Sequence, residues 1–238
     1  MPKLVPVAAS WPKLREVCQQ ATGLYPAYGL HPMFLDQHRP EHLPQLRAWI
    51  EQERPCAIGE CGLDFFVEGL DAEAQQDYFL GQLKLAREFD LPVIVHARRA
   101  VDAVIAAIRR IGGLRGVVHS FSGSPEQAAQ LHKLGFLLGL GGPLTYERAQ
   151  RLQRLVREMP LQQLLLETDA PDIPPHWLYA TAAQRLEGLP QGRNAPGELP
   201  RIASALAELR SQPLEDLAGI TCANALVALP RLQALVSV

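Results

Sequence analysis

Four residues able to bind a cation or move a proton are each carried by a short apolar run. Glu60 lies in Cys56-Ala57-Ile58-Gly59-Glu60-Cys61-Gly62-Leu63-Asp64, where carboxylates stand among glycines. His96 closes Leu91-Pro92-Val93-Ile94-Val95, His119 closes Gly116-Val117-Val118, and Asp169 closes Leu164-Leu165-Leu166-Glu167-Thr168. Each run precedes a helical pattern, so each reads as a buried strand delivering one side chain to its C-terminal mouth. One such histidine alone is most simply a satisfied core residue, and one such acid a helix cap. Two carboxylates and two imidazoles in one mouth would leave uncompensated charge without a cation. The chemistry implied is the binding of a cation by mixed carboxylate and imidazole ligands.

The elements that must position these groups alternate strand and helix along the chain. Strands are expected at Leu4–Ala9, Leu24–Leu30 and the four runs above, with a further one from Phe136 into the Gly141-Gly142 turn. That makes about seven, one short of the eight of a closed barrel. Helices are expected over Pro12–Ala21, Glu41–Glu53, Ala72–Phe89 capped by Asp71, Tyr146–Met159, Glu198–Arg210 and Leu214–Leu229. Others follow the His96 strand, with Val101, Val104, Ile105 and Ile108 inward, and Ser124-Pro125-Glu126-Gln127, a capping-box pattern. Parallel βα units without a nucleotide-binding glycine fingerprint favour an α/β TIM barrel over a doubly wound sheet. The 238 residues suit one such domain, spanning 1–238.

Other candidates are less sharply defined. His31, at the end of Leu24–Leu30, suits a substrate contact as well as a histidine satisfied by a nearby carbonyl. Arg98, just beyond His96, suits a phosphate grip or an idle exposed helix start; Arg99 carries less. His38 and His42 read as solvated, and His132 as a surface residue. Glu167 shares Asp169's face and should point inward, paired with a neighbouring group. Cys61 reads as a small buried hydrophobe beside Glu60.

Composition narrows the classes. A hydrophobic share of 47% and a charged share of 20% describe an ordinary globular domain. A net charge of -2 offers no broad basic surface, so a nucleic-acid substrate would be gripped locally, at an end or a short single strand. Cys18, Cys56, Cys61 and Cys222 show neither zinc spacing nor a disulfide framework, which fits a reducing cytoplasm. No run is apolar enough to span a membrane, and no obligate protein partner is indicated.

The motifs also carry a family resemblance. Ala57-Ile58-Gly59-Glu60-Cys61-Gly62-Leu63-Asp64, Pro92-Val93-Ile94-Val95-His96, Val117-Val118-His119-Ser120-Phe121-Ser122-Gly123 and Leu166-Glu167-Thr168-Asp169-Ala170-Pro171 resemble the motifs of TatD-like metal-dependent deoxyribonucleases. Gly29-Leu30-His31-Pro32 and Arg193-Asn194-Ala195-Pro196 match as well. The resemblance implies hydrolysis of DNA phosphodiesters with two divalent ions, of which Zn, Mn, Co and Mg all fit the ligand types. It casts Glu60 as the bridging ligand, His96 and His119 as ligands of one ion, and Asp169 as ligand of the other and orienter of the attacking water. Arg193 and Asn194 would shape or contact the substrate side. The family opens with a strand ending in His-x-His, and no His-x-His occurs here. Its absence leaves one ion site incomplete and suggests that Met1 is an internal or misassigned start. The alternatives are a degenerate barrel that binds metal or nucleic acid with little turnover, and an amide or lactone hydrolase of a related metal barrel.

Overall fold

The computed structural model describes residues 6–236. Its strands are β1 (Ala27–Tyr28), β2 (Ala57–Asp64), β3 (Val93–Arg98), β4 (Gly116–Val118), β5 (Phe136–Leu140) and β6 (Leu164–Leu166). They form one sheet in sequence order, and each registered neighbour pair is parallel. The helices are α1 (Trp11–Gln19), α2 (His42–Glu53), α3 (Ala72–Glu88), α4 (Val101–Ile111), α5 (Pro125–Lys133), α6 (Gln150–Glu158), α7 (Ala182–Leu186), α8 (Leu199–Arg210), α9 (Leu214–Ala228) and α10 (Pro230–Val236). Helices intervene between successive strands because parallel neighbours need a crossover.

The chain divides into two compact units. The first runs through His119 and adds 126–137 and the residues from Leu226 on. It packs Ile58, Leu63, Val93, Val95 and Val118 of the sheet with Phe79 and Leu83 of α3 and Val104 and Ile108 of α4, all nearly sealed from solvent. Burying each such side chain contributes about 1.5–3 kcal/mol. Asp71 caps α3 by accepting from the backbone N–H groups of Glu73 and Ala74.

Two features of this unit aim side chains. Between β2 and β3, Ile58 pairs with Val93 but Cys61 pairs with Val95, so β2 carries one extra residue there. This bulge contains Glu60 and re-aims it out of the plain alternation. Beyond it, Gly62 lies against His96; a Cβ on Gly62 would fall 2.0 Å from the His96 carbonyl oxygen. Glycine is therefore required for the two strands to close at the level of the histidine.

The second unit comprises 120–125 and 138–225. There β5 pairs with β6, Leu138 opposite Leu164 and Leu140 opposite Leu166. The amide of Asn224 donates to the carbonyls of Leu161 (2.7 Å) and Leu164 (2.8 Å), tying α9 to the start of β6.

Several expected boundaries move. Of the strand expected at Leu4–Ala9, Leu4 and Val5 lie outside the described residues, and Ala8–Ser10 is a 3-10 turn leading into α1. The strand count among the described residues is accordingly six, not seven. The strand expected from Leu24 shrinks to Ala27–Tyr28, and Leu24 is exposed. Tyr146 is extended rather than helical, behind a 3-10 turn over Gly142–Thr145, so α6 starts only at Gln150. The chain's last described segment forms a third tail helix, α10, whose Arg231 donates to the Pro55 carbonyl at 2.8 Å.

Candidate metal centre

The first unit gathers five titratable side chains at one place. Glu60 Oε1 lies 3.0 Å from His31 Nε2, 3.0 Å from His96 Nδ1 and 2.6 Å from His119 Nε2. The two ring nitrogens of His96 and His119 are themselves 3.3 Å apart. His96 turns its other nitrogen, Nε2, to Asp64 Oδ2 at 2.9 Å. Glu60 and His96 sit inside their strands, not on the final residues, while Asp64 closes β2 and His119 follows β4. The His119 amide continues the ladder by donating to the Val95 carbonyl at 3.0 Å.

Hydrogen-bond partners assign the protons. Asp64 and Glu60 can each only accept; where His96 Nε2 donates to Asp64, its Nδ1 is left with a lone pair for a cation. A bare nitrogen facing a carboxylate oxygen repels it unless a cation stands between them. A borderline divalent ion suits that pair of donors, with His119 Nε2 beside it. His31 differs. Its Nδ1 accepts from the Met33 N–H at 3.1 Å, so its Nε2 holds the proton and donates to Glu60. His31 is thus a donor that orients the carboxylate, although its nitrogen lies within ligand range of Glu60 and His96.

Both carboxylates of the site are held in the ionised form. Burial pushes the Glu60 carboxyl up, but bonds from His119, His31 and His96 outweigh it and hold it well below the usual range. Asp64 is fully buried; burial raises it, while His96 and the Val67 and Phe66 N–H groups bring it below its ordinary value. Burial lowers His31, the Glu60 bond opposing, which keeps the imidazole neutral. Burial pushes the Cys61 thiol far up, so it is a packed hydrophobe beside the site.

His31, expected as a substrate contact or a carbonyl-satisfied histidine, is buried against Glu60. Asp169 belongs to the second unit, half-buried just past β6 with φ of 56°. In the same unit, Glu167 accepts from the Ser120 N–H at 2.6 Å. Arg98 and Arg193 are exposed. Asn194 is buried, and its amide donates to the carbonyls of Thr168 (2.5 Å) and Asp172 (2.6 Å), so it shapes the loop beyond β6. His38, expected in solvent, is buried because its Nε2 meets the His31 carbonyl at 2.9 Å. Asp64 is the functional candidate that the strand-mouth reading passed over. Its signal was present: it stands four residues after Glu60, at the end of the same run.

Carboxylates and imidazoles gathered on parallel strands of a βα fold define a metal-dependent hydrolase of the TIM-barrel class. The chain belongs to the TatD-related DNase family, whose model, described as TatD related DNase, matches residues 4–229. It is 39% identical over 215 residues to the uncharacterized metal-dependent hydrolase YjjV of Escherichia coli K12, covering 89% of this chain and 78% of that protein. It is 35% identical over 210 residues to the 3′-5′ ssDNA/RNA exonuclease TatD of Erwinia amylovora, covering 87% and 78%. The crystal structure of E. coli YjjV superposes with a TM-score of 0.86 at 36% identity, over 95% of this chain and 84% of that one.

Proposed function

We propose that this metal-dependent hydrolase cleaves phosphodiester bonds at the ends of short single strands of DNA, and of RNA by the same chemistry. The observation that carries the metal part is the convergence of His96 Nδ1 and His119 Nε2 on Glu60 Oε1, at 3.0 and 2.6 Å. The nucleic-acid part draws support from the relative named as a single-strand exonuclease.

In this reading Glu60, His96 and His119 would hold one divalent ion, and Asp169, in the second unit, is the carboxylate assigned to a further ion. Bound ions would lower the pKa of water and draw charge from the phosphoryl oxygens. Asp64 keeps His96 in its ligating tautomer, and His31 keeps the Glu60 carboxylate turned toward the imidazoles. A carboxylate oxygen of Asp169 orients the attacking water and accepts its proton. Arg98 and Arg193, exposed cations of the first and second unit respectively, are each assigned to substrate phosphate. The four cysteines are free thiols, which fits a reducing cytoplasm. No helix among the described residues is long and apolar enough to cross a membrane.

The test is hydrolysis of bis(p-nitrophenyl) phosphate and of a 3′-labelled single strand, after EDTA treatment and separate return of Mg, Mn, Co or Zn. Turnover should need an added ion, and Glu60→Ala should abolish kcat instead of merely raising KM. Turnover that survives chelation would refute the reading. So would hydrolysis of a lactone or amide by a protein inert toward both phosphodiesters.

A further inference from the structure

Two large aromatic side chains stand in solvent immediately after the buried Asp64: Phe65 is 38% exposed and Phe66 44%. Exposed phenylalanines in consecutive positions have no packing role to explain them. Two guanidinium groups lie on Phe66, that of Arg98 at 3.8 Å from the ring centroid and that of Arg99 at 4.7 Å. Consecutive residues leaving a strand normally point to opposite faces. Here Arg99 takes a φ of 53°, a conformation a bulky side chain rarely adopts, and this break in alternation lets both arginines reach one ring. Neither guanidinium has a carboxylate partner among the described residues, and both side chains are exposed.

The patch is fastened to the metal centre through one side chain. Asp64 Oδ2 bonds His96, and Asp64 Oδ1 accepts from the backbone N–H groups of Phe66 (2.9 Å) and Val67 (3.0 Å). The Phe65 amide donates to the Arg98 carbonyl at 2.9 Å, which joins the two strand ends. An aromatic surface carrying two unpaired, oriented cations fits a chain of phosphates with unstacked bases. It fits neither a duplex groove, which needs a broad basic face, nor an apolar partner, which the two cations would oppose.

We propose that Arg98 and Arg99, held in place by Phe66, grip consecutive backbone phosphates of a single-stranded nucleic acid beside the metal centre, with the Phe65 ring as the surface for a base. Arg99, Phe65 and Phe66 are thereby assigned to substrate binding with Arg98. The proposal rests on the phosphodiesterase reading, which wild-type turnover of bis(p-nitrophenyl) phosphate tests separately, because that compound has no phosphate chain.

The experiment is fluorescence anisotropy of a labelled oligothymidylate with the full chain in EDTA, where no cleavage occurs, across a salt series. Replacing both arginines by Gln should weaken binding and reduce the slope of log K against log salt by about 1.4, from about 0.7 per lost phosphate contact. Each single variant should lose about half of that. Phe66→Leu should weaken binding although no charge is removed, and Phe66→Tyr should restore it. Melting curves and calorimetric Mn titration of each variant identify any that has simply failed to fold. The proposal is overturned if the double variant keeps the wild-type slope, or if Phe66→Leu binds as tightly as wild type.

Discussion

His96 shows how much one proton's position decides. Its two nitrogens face two carboxylates 2.9 and 3.0 Å away, and only one nitrogen of a neutral imidazole can carry hydrogen. With Asp64 accepting from Nε2, the nitrogen facing Glu60 is left free to bind a cation. Asp64→Asn should therefore be informative. Its side-chain oxygen can still accept from the Phe66 and Val67 amides, so the turn persists. Its new N–H₂, however, would donate to His96 Nε2 and move the ring proton to the metal side. Mn affinity measured by calorimetry should fall about 10- to 100-fold, with little loss of thermal stability. Unchanged affinity would show that Asp64 does not set the tautomer.

Among the elements, α3 does more than its apolar stripe announces. Besides Phe79 and Leu83 it buries Gln75 and Gln82, two turns apart on one face. Gln75 accepts from the Asp64 N–H at 2.7 Å and donates to the Asp64 carbonyl at 2.9 Å. Gln82 does the same for Leu30, at 2.7 and 3.1 Å. Each amide replaces a missing strand partner, and each clamps the backbone where a site residue leaves the sheet: Asp64 in one case, the residue before His31 in the other. Gln82→Leu fills the same space but strands a buried N–H and a buried C=O. It should cost about 2–6 kcal/mol, at about 1–3 kcal/mol for each of the two unsatisfied groups, read as a lower urea midpoint at unchanged m-value. An unaltered midpoint would mean that water replaces the clamp.

For the molecule as a whole, the shifted groups in and behind the metal centre act on stability with one sign. His31 and His38 are lowered from their ordinary 6.5, chiefly by burial, so an unfolded chain binds more protons than the folded one as pH falls through that value. Glu60 and Asp64, held below 4.5 and 3.8 by their hydrogen bonds against burial, add the same effect at lower pH. Stability from all four is present above the unfolded values and lost on acidification. In EDTA the melting temperature should fall from about pH 7 to about pH 4, beginning near the histidine range. A flat profile down to pH 5 would show that the imidazoles titrate alike in both states.

The positions of Glu60, His96, His119 and Asp169 within short apolar runs, and the alternation of those runs with helices, were legible because strand burial and helix periodicity are written in local residue order. Residue order also carried the family motifs, and with them the hydrolase class. The direction of each side chain was not legible. The bulge that turns Glu60, the glycine that lets β2 close on His96, and the arginine conformation that brings two cations to one ring all depend on which strand lies alongside. The roles of Asp64, His31, His38, Gln75 and Asn194 escaped for a related reason. A buried polar side chain is defined by the partner that satisfies it, and those partners lie up to tens of residues away in the chain. Asn194 shows it most plainly: its amide serves carbonyls 22 and 26 residues back, which only the folded loop brings within reach.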